Sequence, residues 1–262
     1  MKRRSAFITA GAQGLGQAMT RHLAAQHSTL FVHYDTSQPA AEALRAELTA
    51  AGGEVICRQA DLAQRADRER LVRQVAAQTS ELHLLVHNLG WYLMERLPAI
   101  TIAQWEQALT RNGTATFHLT QLALPLLEAA PPPGRIMNLG DSACDRIAAH
   151  VMATPYHIAK LGVHVLTRSY AQLLMPKGIT VNMISPGFLA NSIGRPPQRL
   201  PAGQPGRFVD ILGALDYLLS EQASYVSGTN VLVSGAWNLG ECSAPLHTAG
   251  AASRTPAGRR NR

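Results

Sequence analysis

The segment DSACDRIAAHVMATPYHIAK, residues 141–160, carries three side chains able to manage a proton together: Asp141, Tyr156 and Lys160. Tyr156 and Lys160 stand at i and i+4, so a helix sets them one turn apart on a single face. An ammonium near a phenol favours the phenolate, which lowers the phenol pKa and makes Tyr156 a proton donor near neutral pH. Asp141, just before, is a carboxylate in reach of the same chemistry only if the chain folds back over the intervening residues.

The elements that must position these groups alternate along the whole chain. Short apolar runs, SAFITA, TLFVHY, EVICRQADL, LHLLVHN, GRIMNLG, ITVNMIS and NVLVSG, read as strands. Between them lie stretches of helical periodicity: GQAMTRHLAAQH, PAAEALRAELTAAGG, RERLVRQVAAQT, a long TIAQWEQALTRNGTATFHLTQLALPLLEAA, YHIAKLGVHVLTRSYAQLLMP and FVDILGALDYLLS. Strict alternation requires right-handed crossovers and a parallel sheet covered on both faces, which predicts an α/β, doubly wound (Rossmann-type) single domain.

Composition sets the outer bounds. The 262 residues are 46% hydrophobic and 16% charged, enough for a buried core, with no apolar run long enough for a membrane span. The start MKRRSAFITAGAQG breaks at a glycine-bearing turn too early for a signal peptide. Cys57, Cys144 and Cys242 are odd in number and in no metal-ligand spacing, so a reduced, cytoplasmic chain without a metal is expected. The net charge of +7 sits in the ends: Lys2, Arg3, Arg4, Arg254, Arg259, Arg260 and Arg262 account for it, and the other 17 bases balance 17 acids. A nucleic-acid groove is therefore not expected. Residues 1–242 read as the domain and 243–262 as a basic, disordered tail.

Gly11, Gly14 and Gly16 fall in TAGAQGLG, the first strand-to-helix turn. Glycines there let backbone N–H groups approach a pyrophosphate at a helix N-terminus, so this turn predicts a dinucleotide site. Asp61 follows the third strand, where a carboxylate can accept from an adenine amino group. Asn88 and Gly90 end the fourth strand, beside the crevice expected at the strand C-termini. His87, one residue earlier, reads as a hydrogen-bonded strand histidine rather than a catalyst.

Taken in order, the glycine turn, HNLG, RNGTATF, YHIAK, ISPG and YVSG make residues 5 to 240 resemble the short-chain dehydrogenase/reductase family. The resemblance implies a nicotinamide cofactor that gives hydride. It further implies Tyr156 as the acid, Lys160 as the group that lowers its pKa and holds the cofactor ribose, and Asn112 as support for a proton-relay water. Cofactor contacts are implied at Gly11, Gln13, Gly14, Leu15, Gly16, Asp35, Asp61, Leu62, Asn88 and Gly90, at Tyr156 and Lys160, and at the turn of Pro186 and Gly187.

Two departures carry information. Ala10 stands where the family usually begins its glycine motif, and the two usual serine positions after IMNL read Gly140 and Asp141. An ionised carboxylate only accepts hydrogen bonds and repels an incipient oxyanion, so it cannot simply replace a hydroxyl that polarises a carbonyl. An aspartate there is similar to the pteridine-reductase branch, in which the acceptor is a C=N bond of a dihydropterin. Trp91 and Tyr92, placed for stacking on a pterin, and DSACDR with Asp145 and Arg146 resemble the dihydromonapterin reductase subgroup. Substrate contacts are thus expected from Trp91, Tyr92, Asp141, Ser142, Arg146 and Phe188.

Three readings stay open: a dihydropterin or dihydrofolate reductase, a carbonyl or 3-oxoacyl reductase using Ser142, and a nucleotide-binding module without turnover. Asp141 and Tyr156 are fifteen positions apart, more than usual for the family, so the intervening loop must bulge. The cofactor is NADP(H) or NAD(H): Asp35 would repel a 2′-phosphate and accept from a free ribose hydroxyl, while Thr36 and Ser37 could donate to a phosphate. By resemblance the helices of about 102–128 and 156–175 would pack a homotetramer through residues including Leu119, Leu122, Leu126, Val163, Val165 and Leu166. The Pro/Gly-rich stretch 194–206 is the expected substrate lid.

Overall fold

The computed structural model describes residues 4–27, 29–131, 134–193 and 199–239. Seven parallel strands make one sheet in the order β3-β2-β1-β4-β5-β6-β7: β1 Ser5–Thr9, β2 Thr29–Tyr34, β3 Glu54–Gln59, β4 Leu84–His87, β5 Arg135–Leu139, β6 Thr180–Pro186 and β7 Asn230–Val233. The helices are α1 Gly14–Ala24, α2 Gln38–Ala50, α3 Arg65–Ala76, α4 Ile102–Leu109, α5 Ala115–Ala129, α6 Thr154–Leu174 and α7 Phe208–Leu219. The alternation expected from hydrophobic periodicity is therefore present in full. The tail 243–262, Cys242 and positions 194–198 of the expected lid lie outside the described residues.

The helices bury both faces of the sheet, and two apolar clusters divide accordingly. One joins Phe7, Phe31, Leu85 and Ile136 to Leu71, Leu119 and Leu174 of the covering helices. The other joins Ile8, Val32, Val86 and Met137 to Met19, Leu44 and Leu215. Successive residues of β1 to β4 go to opposite clusters, as the period of two demands. Burial on both sides also explains why the strands are near-continuously apolar instead of alternating with polar residues.

Sheet order reverses between β1 and β4, which places the crevice of a doubly wound sheet at their C-terminal ends. His87 ends β4 and is buried, with Nε2 2.9 Å from the Thr120 hydroxyl, in keeping with a structural histidine.

The long helix expected over 102–128 is interrupted. After α4, capped by Thr101 with Gln104 returning the bond, residues Thr110–Thr114 form a π-helical turn before α5 begins. Such a turn inserts a residue and marks functional positions. Here it carries Arg111 and Asn112 toward the crevice. Of the residues named for a tetramer, Leu119 and Val163 lie in the core, while Val165 is exposed. Among the described residues no helix is long and apolar enough to cross a membrane.

Candidate active site

The site begins in the β1–α1 turn. Ala10 adopts a left-handed conformation with φ of 47°, which the missing glycine would have taken without strain. Its N–H bonds His33 Nδ1 at 3.0 Å, and its carbonyl accepts from Asn88 Nδ2 at 3.0 Å. That places Asn88 under the turn as a brace, tying β4 to β1. Gly16 lies against the same carbonyl: a Cβ there would stand 2.1 Å from the Ala10 oxygen and 2.5 Å from Asn88 Nδ2. Only glycine allows α1 to approach this closely. Gly14 opens α1 with φ of 52°, and Leu15 turns inward against the core.

A cleft of about 410 Å³ opens over these strand ends, lined by Ala10, Gln13, Asp35, Leu62, Gly90 and Trp91 among others. Thr36, Ser37, Asn88 and Arg111 also face it. Gln13, Asp35, Leu62, Asn88 and Gly90 of the residues expected to hold a dinucleotide therefore line one cleft, and the close backbone approach at Gly16 fits a pyrophosphate at a helix N-terminus.

One residue of the cleft was missed from sequence. Arg111 Nη1 binds Asp35 Oδ2 at 2.8 Å and Nη2 binds Asp61 Oδ1 at 2.9 Å. The same Asp61 oxygen accepts from the Ala63 N–H at 2.9 Å, so this carboxylate is already engaged rather than simply open to an adenine amino group. The only signal was a cation beside Asn112 in RNGTATF, on a helix whose contacts with β2 and β3 periodicity cannot supply.

Asn112 is buried, and its side chain is fully committed. Oδ1 accepts from the Trp91 N–H at 3.0 Å, while Nδ2 donates to the carbonyls of Trp91 at 3.0 Å and Ala108 at 2.9 Å. Its backbone carbonyl accepts from Thr116 Oγ1 at 2.7 Å. In this geometry Asn112 fixes the segment after β4, which carries Trp91, to the π-helical turn.

α6 delivers the Tyr-x-x-x-Lys pair. Lys160 is buried and donates to the carbonyls of Leu89 at 2.5 Å and Leu139 at 2.6 Å, joining the ends of β4 and β5. Its Nζ lies 5.7 Å from the Tyr156 ring centroid. The Tyr156 hydroxyl donates to Asp141 Oδ2 at 3.0 Å, and Asp141 Oδ1 accepts from the Ala143 N–H at 2.8 Å. Asp141, Tyr156 and Lys160 thus form one cluster. The longer spacing is absorbed by a loop with exposed Ile147 and Val151, which ends on Ala153 in a left-handed turn with φ of 53°.

The electrostatics correct one expectation. Burial pushes the Tyr156 phenol well above its usual value, and the Asp141 carboxylate beside it pushes in the same direction. The lowering expected from a neighbouring ammonium is outweighed, because burial also disfavours that ammonium: Lys160 is lowered to about 8, although Asp141 opposes the shift. Tyr156 is consequently a held proton, with its hydrogen directed at a carboxylate.

The expected substrate contacts divide. Tyr92 packs edge-on against Tyr156, with ring centroids 4.7 Å apart, and Trp91 lines the cleft. Phe188 packs against Trp237 at 4.8 Å, just past the Pro186 turn, and the Gly187 N–H bonds the Val233 carbonyl at 3.0 Å. Arg146 is exposed and donates to the Asn238 carbonyl at 3.2 Å, which uses its guanidinium on a neighbouring loop. The Ser142 Oγ is shut off from solvent and has no hydrogen-bond partner among the described residues.

Comparisons with known proteins agree with this geometry. The family described as short chain dehydrogenase matches residues 4–197. Over 241 residues the chain is 30% identical to a 3-oxoacyl-[acyl-carrier-protein] reductase of Synechocystis sp., covering 88% of this chain and 95% of that one. The corresponding reductase of Staphylococcus aureus is 27% identical, with 88% and 97% covered. Among solved structures, a blue fluorescent protein from a metagenomic library in complex with NADPH superposes with a TM-score of 0.82 at 30% identity, covering 89% and 97%. A short chain dehydrogenase from Burkholderia cenocepacia in complex with NADP gives 0.82 at 26% identity, covering 90% and 98%. With the glycine turn, the crevice and the Tyr156–Lys160 pair in place, the chain belongs to the short-chain dehydrogenase family of NAD(P)-dependent oxidoreductases.

Proposed function

We propose that the chain reduces a polarised C=N bond in a flat heteroaromatic ring of the dihydropterin or dihydrofolate type. One observation carries this reading: the Tyr156 hydroxyl is held by the Asp141 carboxylate, at the position where the family usually has a hydroxyl donor. A carboxylate repels the oxyanion that forms as a carbonyl is reduced, whereas it stabilises a ring nitrogen that gains a proton. Tyr92 and Trp91 offer aromatic faces beside Tyr156 and the cleft, suited to a planar substrate.

The residues divide the work as follows. A nicotinamide cofactor held in the cleft would supply the hydride that the ring carbon takes up. Tyr156 holds the proton destined for the ring nitrogen, and Asp141 orients that hydroxyl. Lys160 pins the carbonyls of Leu89 and Leu139, keeping the ends of β4 and β5 in register beneath the reacting groups.

A second reading, reduction of a 3-oxoacyl-type carbonyl, is favoured by the names of the curated relatives. Those names support it better than they support a pterin substrate. Against it stands the inaccessible Ser142 hydroxyl, the group that reading calls on.

The test is nicotinamide oxidation followed with 7,8-dihydropterin or acetoacetyl-coenzyme A as acceptor, NADPH or NADH as donor, and Tyr156→Phe as control. Tyrosine-dependent turnover of the dihydropterin alone supports the first reading. Turnover of the thioester alone replaces it with the second, and cofactor binding without turnover of either favours a non-catalytic nucleotide-binding module. By family resemblance we also propose a homotetramer, with Val165 and Ile158 of α6 among the exposed apolar residues available to it. Sedimentation as a monomer at micromolar concentration would refute that.

A further inference from the structure

Asp35 follows β2 directly, at the place where an acid in a doubly wound sheet reads the 2′-hydroxyl of an unphosphorylated ribose. Left alone, its charge would exclude a 2′-phosphate. It is not alone. Arg111 crosses from the π-helical turn, 76 residues away in sequence, and ion-pairs with the outer oxygen of Asp35. Its second terminal nitrogen is anchored on Asp61 just past β3, so the guanidinium is held between the two carboxylates on the wall of the cleft.

One feature makes this cation available to a ligand: two terminal N–H groups remain beyond those given to Asp35 and Asp61. On the same rim stand Thr36 and Ser37, whose hydroxyls can donate, and Gln13. A guanidinium with spare donors in a fixed fork is the side chain best matched to phosphate oxygens. Asp61 is meanwhile held by the Ala63 N–H, which offsets part of its charge.

We infer that Arg111 is a specificity-determining residue that lets this cleft accept a 2′-phosphorylated nicotinamide cofactor in spite of Asp35. It does so by offsetting part of the Asp35 charge and offering its two remaining terminal N–H groups to the phosphate oxygens. The inference rests on the cleft holding a nicotinamide dinucleotide and is independent of which acceptor is reduced.

Direct binding tests it without turnover. Isothermal titration with 2′,5′-ADP and with 5′-ADP compares the same fragment with and without the 2′-phosphate. The wild-type protein is expected to bind 2′,5′-ADP at least as tightly as 5′-ADP. Arg111→Met should weaken 2′,5′-ADP by about tenfold or more, as loss of a charge-assisted fork implies, with a much smaller change for 5′-ADP. Asp35→Asn added to Arg111→Met should recover part of the loss, and Arg111→Lys should fall between. If Arg111→Met does not fold, Arg111→Lys and Asp35→Asn alone still decide the matter, since the first must lower and the second must raise the ratio of the two affinities. A wild-type preference for 5′-ADP, or a ratio unmoved in these variants, overturns the role of Arg111 while leaving the cleft a dinucleotide site. Failure of both fragments to bind overturns both.

Discussion

The Tyr156 hydroxyl donates its hydrogen bond to Asp141 Oδ2 at 3.0 Å. The proton of this phenol is thus directed at a carboxylate, and burial together with that carboxylate keeps it there. Substitution of the acid is the sharpest probe. Asp141→Asn retains the shape and removes the charge; dihydropterin reduction should fall by about a hundredfold, the lower end for a proton-handling group. Asp141→Ser restores a donor and should raise turnover of a 3-oxoacyl thioester relative to dihydropterin. Parallel kcat/KM measurements on the two acceptors check this, and an unchanged ratio would count against the role given to the carboxylate.

The pH profile should be governed by Lys160. Its ammonium titrates at about 8 because burial disfavours the charge, whereas Tyr156 stays protonated well beyond that. Since kcat/KM reports groups of the free enzyme, it is expected to fall as pH rises through about 8. A plateau extending to pH 10 would rule out control by this lysine.

The same shift has a consequence for stability. The folded-state pKa of about 8 lies below the ordinary 10.5, so between these values the unfolded chain holds a proton that the folded chain has released. The free energy of unfolding therefore gains from this group as pH rises through that window, by up to about 3 kcal/mol at 1.36 kcal/mol per unit. Denaturant melts of wild type and Lys160→Met at pH 7.5 and 10 should differ in slope with pH, the variant lacking this rise.

Ala10 carries backbone strain that a single atom group creates. With φ at 47° it occupies the left-handed region, where a Cβ costs about 1–2 kcal/mol. Ala10→Gly should stabilise the protein by about 0.5–1 kcal/mol after the entropy cost of glycine is set against that gain, raising Tm by about 2 °C. Calorimetry checks the sign; a fall in Tm would mean that the turn is not strained at this residue.

Asn112→Ala leaves the Trp91 N–H and the Trp91 and Ala108 carbonyls without their side-chain partner. Unfolding should become about 2–4 kcal/mol easier, the range for stranding several buried polar groups. Because Trp91 forms one wall of the cleft, KM for the cofactor should rise as well. Asn112→Asp, which keeps the acceptor and loses the donors, should recover only part of each effect.

Much of the fold was legible in the chain because it depends on local pattern. Each strand is a short apolar run and each helix an amphipathic stretch, and their strict alternation admits one parallel, two-sided arrangement. The i, i+4 spacing of Tyr156 and Lys160 survives into α6 unchanged, since a helix converts sequence spacing directly into geometry. The interruption at Thr110–Thr114 was not legible: RNGTAT has no proline, and a π-helical turn arises from how Asn112 and its neighbours bond to the β4 exit.

The sequence by itself determined the doubly wound sheet, the glycine turn at its switch point and the one-face pairing of Tyr156 and Lys160. Tertiary structure alone decided how those groups are tuned and which others join them. Arg111 meets Asp35 and Asp61 only because sheet order brings the ends of β2 and β3 beneath the π-helical turn. Ser142, adjacent to Asp141 in sequence, is turned out of use by burial. The Tyr156 pKa rises where a neighbouring lysine alone would lower it, because desolvation depends on everything packed around a group and only the folded chain sets that environment.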